Sequence, residues 1–157
     1  MKKKIIALLF AFVLAITGVV AGETKVYAEE SIQSAQDVEL SEIWTEDALV
    51  GYAVLQTKGV YLLDGVSIIN DAGNNKIGCG GSTTAAKKCK VSVTAIVERK
   101  VNGNWARVTS WTVTNTNAYS ATASKLLSVG SGYYYRVRCA HYAGTDASSS
   151  CTDSMWM

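Results

Sequence analysis

Four cysteines and a single histidine are the residues of this 157-residue chain with the most specific chemistry. The cysteines are Cys79, Cys89, Cys139 and Cys151, and His141 lies two residues after Cys139. Thiolates and imidazole are zinc ligands, so the set is a candidate metal site. In an oxidising compartment, four cysteines more simply form two disulfides. The chemistry to expect therefore depends on where the protein is located.

The first 28 residues have the three parts of a secretory signal peptide. Lys2 to Lys4 form a basic start, an apolar run from Ile5 to Ala21 follows, and Val26-Tyr27-Ala28 fits a cleavage sequence. The apolar run is shorter than the about 20 residues that a membrane-spanning helix needs. We therefore expect residues 1–28 to be removed, and the mature chain to be secreted, extracellular and free of the membrane.

Export makes disulfides the preferred prediction for the four cysteines, with no metal and no other cofactor expected. Three pairings are possible, and the sequence excludes none of them. We prefer Cys79 with Cys89 and Cys139 with Cys151, because each pair closes a short loop between successive predicted strands. Each such bond would stabilise the fold by about 2–3 kcal/mol.

Charge divides the mature chain into an acidic arm and a basic domain. Residues 29–47 carry seven Asp and Glu and no base, whereas the chain from Lys58 onward carries eleven Lys and Arg against five Asp and Glu. We predict residues 29–49 to be a flexible, solvated arm. The alternative is that the arm folds back on the basic domain, with Ile43 and Trp44 as its anchors. No motif points to nucleic acid as a partner.

Residues 50–157 have the pattern of an all-β domain. Cys89–Val101 alternates apolar and polar residues, and Asn102-Gly103 predicts a tight hairpin turn into a strand over Trp105–Thr114. A loop is expected at Asn115–Asn117. With the later Val- and Tyr-rich runs, the spacing predicts an immunoglobulin-like or fibronectin-like β-sandwich of about seven strands. Tyr133 is the candidate for a tyrosine corner, in which the hydroxyl bonds to upstream backbone.

Aromatic and basic side chains are the best candidates for binding. The two tryptophans of the strand after the hairpin turn share one face with Val113, and they can either form core or stack on sugar rings. Further on, a tyrosine and two arginines alternate with apolar residues and face away from the core, as a solvated face or as a surface for anionic polymers. The candidate binding surface is Trp105, Trp111, Tyr134, Arg136 and Arg138.

Enzymatic chemistry has little support in the sequence. The chain has one histidine, no glycine pattern of a nucleophile elbow, and acids scattered among predicted turns. We therefore expect a protein that is not an enzyme but a binding or surface-interaction module, with a cell-wall glycan or a surface protein as partner. The alternatives are a structural matrix protein that acts by assembly, and a secreted antibacterial or toxin-like effector.

Short turn-like motifs across residues 50–157 resemble a family of small exported proteins of Gram-positive bacteria, known only as a domain of unknown function. The resemblance implies export and one compact domain, and it implies no catalytic residue, ligand or partner. The motifs are Leu63-Asp64-Gly65, Asp71-Ala72-Gly73-Asn74, Gly81-Ser82-Thr83-Thr84-Ala85, Asn102-Gly103-Asn104-Trp105, Asn115-Thr116-Asn117-Ala118-Tyr119 and Gly132-Tyr133-Tyr134-Tyr135-Arg136-Val137.

Overall fold

The computed structural model describes residues 34–55 and 59–157. The predicted signal peptide and residues 29–33 of the predicted arm lie outside the described residues. Among the described residues, no helix is long and apolar enough to cross a membrane.

The described chain consists of strands and one short helix. All strand pairs are antiparallel, and they join into one sheet of eight strands, so the all-β prediction is confirmed. The immunoglobulin-like arrangement stays a prediction. In chain order the elements are β1 (Ser34–Asp37), α1 (Leu40–Ile43), β2 (Leu49–Tyr52), β3 (Leu62–Gly73), β4 (Lys76–Val101), β5 (Asn104–Ser128), β6 (Tyr134–Ala143), β7 (Asp146–Cys151) and β8 (Met155–Trp156).

Two long neighbouring strands, β4 and β5, form the centre of the sheet. They are joined by the predicted turn at Asn102-Gly103, where both residues have the positive φ angles, 51° and 82°, that such a turn requires. The two strands pair over their whole length, with irregular pairing between Thr84 and Val91. Residues Asn115–Asn117, predicted as a loop, instead lie within β5. Asn117 has a left-handed backbone conformation, and the irregular pairing accommodates it without ending the strand.

The strand β4 changes its second partner halfway along. Its first part, up to Ala85, pairs with β3, and its last part, from Val91 to Arg99, pairs with β6. Because β3 also packs against β6 and β7, the two parts of the sheet contribute to one common core. That core contains Ile69, Ile77, Cys79, Val91, Val93, Val97, Leu127, Tyr135, Val137 and Cys139, all at most 1% exposed.

The edge strands β2 and β7 lie against each other on one side of this core. The hydroxyl of Ser148 donates to the carbonyl of Val54 at 2.8 Å. At Gly51, a Cβ would overlap the carbonyl group of Cys151, so only glycine permits the approach of the two strands there.

A tyrosine hydroxyl does bond to upstream backbone before β6, but it belongs to Tyr135 and not to Tyr133. Tyr135 is fully buried and donates to the carbonyl of Gly130 at 2.8 Å. Tyr133 precedes the strand, and its ring lies 4.3 Å below the guanidinium of Arg99. The prediction was wrong by two residues because, of the three successive tyrosines, only Tyr135 points into the core.

The described part of the predicted arm, residues 34–49, is folded onto the sheet. The strand β1 pairs with residues 125–128 of β5, and Asp37 forms an ion pair with Lys125. Ile43 is 3% exposed, whereas Trp44 is 45% exposed. The arm is thus held by strand pairing, one ion pair and one of its two predicted anchors, so the alternative of a folded-back arm describes these residues and a flexible arm does not.

Candidate functional site

The residues of β6 alternate strictly between the core and the outer surface of the sheet. Tyr135 and Val137 are fully buried, whereas the side chains of Arg136 and Arg138 are 25% and 49% exposed and Tyr134 is 45% exposed. The predicted outward stripe of one tyrosine and two arginines is therefore present. Period-two alternation in a strand with one buried face accounts for it.

A glutamate from the neighbouring strand orients both arginines. Glu98 of β4 accepts a hydrogen bond from Nε of Arg136 at 2.7 Å, and its other oxygen lies 3.2 Å from a terminal guanidinium nitrogen of Arg138. Its side chain is only 9% exposed. A carboxylate that is nearly buried needs such cationic partners, and they in turn lose freedom of movement.

One of the two candidate tryptophans joins this surface, and the other does not. Pairing of β4 and β5 slips by one residue at Val108, a β-bulge whose side chain is buried. Trp105 therefore lies on the outer surface, with Arg136 4.2 Å above its ring, while Trp111 packs against the core. The prediction that both tryptophans share a face was wrong because the bulge reverses the alternation.

A second aromatic pair extends the surface at the chain end. Trp156 of β8 lies beside Tyr134, with 4.9 Å between ring centroids in an edge-on arrangement. Strand register adds Lys100, opposite Trp105, and Arg107, opposite Glu98. We call this surface the aromatic–basic face and define it as Lys100, Trp105, Arg107, Tyr134, Arg136, Arg138 and Trp156.

The inner side of β6 carries a polar cluster around the single histidine. His141 is fully buried; its Nδ1 lies 2.8 Å from Oγ1 of Thr83, and its Nε2 lies 2.8 Å from Oγ of Ser150. The Thr83 hydroxyl donates to the carbonyl of Ser92, so it must accept from Nδ1–H, and Nε2 accepts from Ser150. Gly65 packs directly on the imidazole, where a Cβ would overlap the ring.

Burial decides what this cluster can do. Serine donating to Nε2 of a histidine is the geometry of an activated nucleophile. However, His141 is 0% and Ser150 4% exposed, so no substrate can reach the pair. Removal from water lowers the pKa of His141 to about 4, although the charge of nearby Asp64 acts in the opposite direction. The cluster therefore holds a neutral imidazole that links β4, β6 and β7.

All four cysteines are free thiols in this structure, and the disulfide prediction stays a prediction. Cys79 and Cys89 are ten residues apart on β4, about 30 Å along a straight strand, whereas bonded cysteines need Cα atoms within about 7 Å. Cys139 is opposite Ser150 and Cys151 is opposite Arg138, so these two cysteines point to opposite faces. Neither preferred pair fits the strands.

The fold instead places Cys139 near Cys79. The Sγ of Cys139 lies 3.5 Å from the carbonyl oxygen of Gly80, the residue after Cys79. Burial raises the pKa of both thiols, that of Cys139 to about 12, so both are protonated and weakly reactive. Among the described residues, no three His, Cys, Asp or Glu side chains form a cluster that could hold a metal ion.

Sequence reasoning left three members of the aromatic–basic face out of the candidate surface: Lys100, Arg107 and Trp156. The signal that identifies Lys100 is its position two residues before the hairpin turn, which puts it opposite Trp105. Nothing local identifies Trp156, because its contact with Tyr134 depends on the return of the chain end to β6.

Comparison with known proteins gives a family and one similar structure. The solution structure of R. palustris CsgH matches with a TM-score of 0.37 and 14% identity, covering 68% of this chain and 91% of that chain. No curated protein matches the chain. A family model matches residues 27–155, which include the described part of the arm and nearly the whole domain. The chain belongs to this family, a family of unknown function designated DUF6147.

Proposed function

We propose that the protein is a secreted binding module that recognises an anionic glycan through the aromatic–basic face. One observation carries the proposal. Four cationic and three aromatic side chains share one surface of the sheet, and the acid among them, Glu98, is nearly buried by its two arginines. The surface therefore presents an excess of positive charge beside exposed rings.

The chemistry of these side chains matches a charged sugar polymer. The faces of tryptophan and tyrosine rings stack on sugar rings, and guanidinium groups bind phosphate or carboxylate groups with two hydrogen bonds. Because Glu98 already holds Arg136 and Arg138, less side-chain entropy is lost on binding. A strand surface is open along its length, which suits an extended polymer better than a small molecule.

Export supports this proposal because it would bring the surface to the polymers of a cell envelope. The supporting feature is the predicted signal peptide, with cleavage after Ala28. The intact mass of the protein recovered from culture medium should match Glu29 to Met157. A mass four hydrogens lower would also establish two disulfides, and a protein that keeps residues 1–28 would contradict export.

Binding can be tested with soluble polygalacturonate, a polymer of carboxylated sugar rings, as the anionic glycan and an uncharged chitin oligosaccharide as the reference. We expect the purified protein to bind the anionic polymer at least tenfold more tightly. Trp156→Ala and Arg138→Gln should each weaken binding at least fivefold. Matched controls are Tyr52→Ala and Lys90→Gln, which alter an exposed ring and an exposed cation elsewhere and should change affinity less than twofold.

Two results would contradict the proposal. One is the absence of saturable binding to the anionic polymer. The other is an equal loss of affinity in the control variants, which would indicate a diffuse charge effect and no defined surface.

A further inference from the structure

The strand β5 has one edge that is unpaired over most of its length. Residues 125–128 pair with β1, but from Asn104 to Ala123 the strand pairs only with β4 among the described residues. Such an edge presents a row of backbone N–H and C=O groups to solvent, and it is a ready template for another strand. No proline and no acidic residue interrupts it.

The arm shows that this edge accepts an added strand. The strand β1 is antiparallel to β5, and the hydroxyls of Ser34 and Ser128 are 2.8 Å apart. The Asp37–Lys125 ion pair closes the same contact. The arm then leaves the edge at Val38, whose carbonyl accepts from Ser124, so the remaining edge is left open.

A cavity of about 230 Å³ lies beside the open edge. From the edge strand it is lined by Trp111 and Val113, which face the core side of the sheet, and from the arm by Asp37, Val38 and Glu39. The indole N–H of Trp111 is buried and has no hydrogen-bond partner among the described residues. A strand added along β5 would point every second side chain toward this cavity, and its backbone carbonyls are acceptors of the kind that the indole N–H needs.

The walls of the cavity favour a long basic side chain. Two carboxylates of the arm line it, those of Asp37 and Glu39. Asp37 is already paired with Lys125, whose ammonium group lies 5.6 Å from the Trp111 ring centroid, so Glu39 is the lining carboxylate left for a further cation. A lysine can lay its methylene stem against Trp111 and Val113 and bring its ammonium group to Glu39. A second copy of β5 does not supply this group, because its one basic residue from 104 to 123, Arg107, lies on the outer surface.

We propose that the open edge of β5 binds an extended segment of a partner protein as an added strand, with a Lys or Arg side chain in the cavity. Backbone hydrogen bonds would supply affinity, and the cavity would supply specificity, as in other strand-addition complexes. This site is separate from the aromatic–basic face, which attracts the opposite charge.

Labelled decapeptides test the proposal by fluorescence anisotropy with the purified protein. A peptide of alternating Thr and Lys should bind saturably, and an uncharged one of alternating Thr and Gln at least tenfold more weakly. A peptide of the same composition, with its lysines in adjacent pairs, should bind at least threefold more weakly, because it cannot present lysine on one face only. Equal or tighter binding of the Gln peptide, or no saturation by the Lys peptide up to about 1 mM, would overturn the proposal.

Two variants that add the same charge to neighbouring positions locate the site. Val113→Lys places an ammonium group at the cavity and should weaken binding of the Lys peptide at least tenfold, whereas Thr114→Lys, on the outer surface, should change it less than twofold. Should Val113→Lys fail to fold, Glu39→Gln, at an exposed position, should still weaken binding about threefold. Equal effects of both lysine variants, an unchanged affinity of Glu39→Gln, or a native dimer that Val113→Lys dissociates would each overturn the assignment.

Discussion

The two faces of β6 treat polar groups in opposite ways. On the outer face, Arg136 and Arg138 form ion pairs with Glu98 and remain partly open to solvent. On the inner face, His141 is fully enclosed, neutral, and bonded at both ring nitrogens. The two guanidinium groups are accessible to a charged ligand, whereas the imidazole of His141 is uncharged and inaccessible. Exposure, more than residue type, thus separates the proposed binding surface from a structural hydrogen-bond cluster.

The inner face should make stability depend on pH. The pKa of His141 is about 4 in the folded protein against 6.5 for a free histidine, so between these values the unfolded chain binds more protons. Neutral His141 therefore contributes about 3 kcal/mol to the unfolding free energy. This contribution is complete above pH 6.5 and is lost as the pH falls toward 4. Chemical unfolding at pH 7 and pH 4.5 measures it.

The control for this pH effect is His141→Gln, which keeps a donor and an acceptor but cannot ionise. Its loss of stability on acidification should be clearly smaller than that of the native protein. If the unfolding free energies of the two proteins fell equally with pH, protonation of His141 would not be the cause of the acid destabilisation.

The stability of the protein should depend more on Glu98, on the outer face, than on Asp37, on the arm. Glu98→Gln leaves two arginines without their counter-charge in a partly buried setting, and we expect a loss of about 2 kcal/mol in unfolding free energy. Asp37→Asn breaks an ion pair whose acid is 85% exposed, and it should cost less than about 0.5 kcal/mol. Similar losses in the two variants would contradict the distinction between these ion pairs.

The smallest expected difference in stability is between variants of Tyr133 and Tyr135. Tyr135→Phe removes the hydroxyl that bonds Gly130 and should cost about 1 kcal/mol, because a partly buried carbonyl loses its donor. Tyr133→Phe keeps the ring below Arg99 and should leave the melting temperature unchanged. A greater loss in Tyr133→Phe would restore the original assignment of the corner.

Local patterns in the sequence predicted much of the fold. The Asn102-Gly103 turn and the alternation of β6 depend on neighbouring residues only, and both are present. The exchange of partners along β4 was not predictable, since pairing with β3 and then β6 is decided by residues far away in the chain. The folded arm was predicted only as the alternative, because the net negative charge of residues 29–47 favours a solvated segment.

The candidate site was predicted in part for the same reason. Strand alternation correctly placed Tyr134, Arg136 and Arg138 outward. The bulge at Val108 has no clear signal in a strand of alternating small and large residues, so the separation of Trp105 from Trp111 could not be read from spacing. A single inserted residue is enough to reverse which side of a sheet a tryptophan occupies.

The indole N–H signals of the four tryptophans give the most direct test of the proposed binding surface. In a nitrogen-15 NMR titration with polygalacturonate, the account predicts large, saturable shifts for Trp105 and Trp156, which lie on the aromatic–basic face. Trp111, against the core, and Trp44, on the arm, should stay unchanged. Shifts centred on Trp44 or Trp111, or no saturable shift at any of the four, would contradict the account.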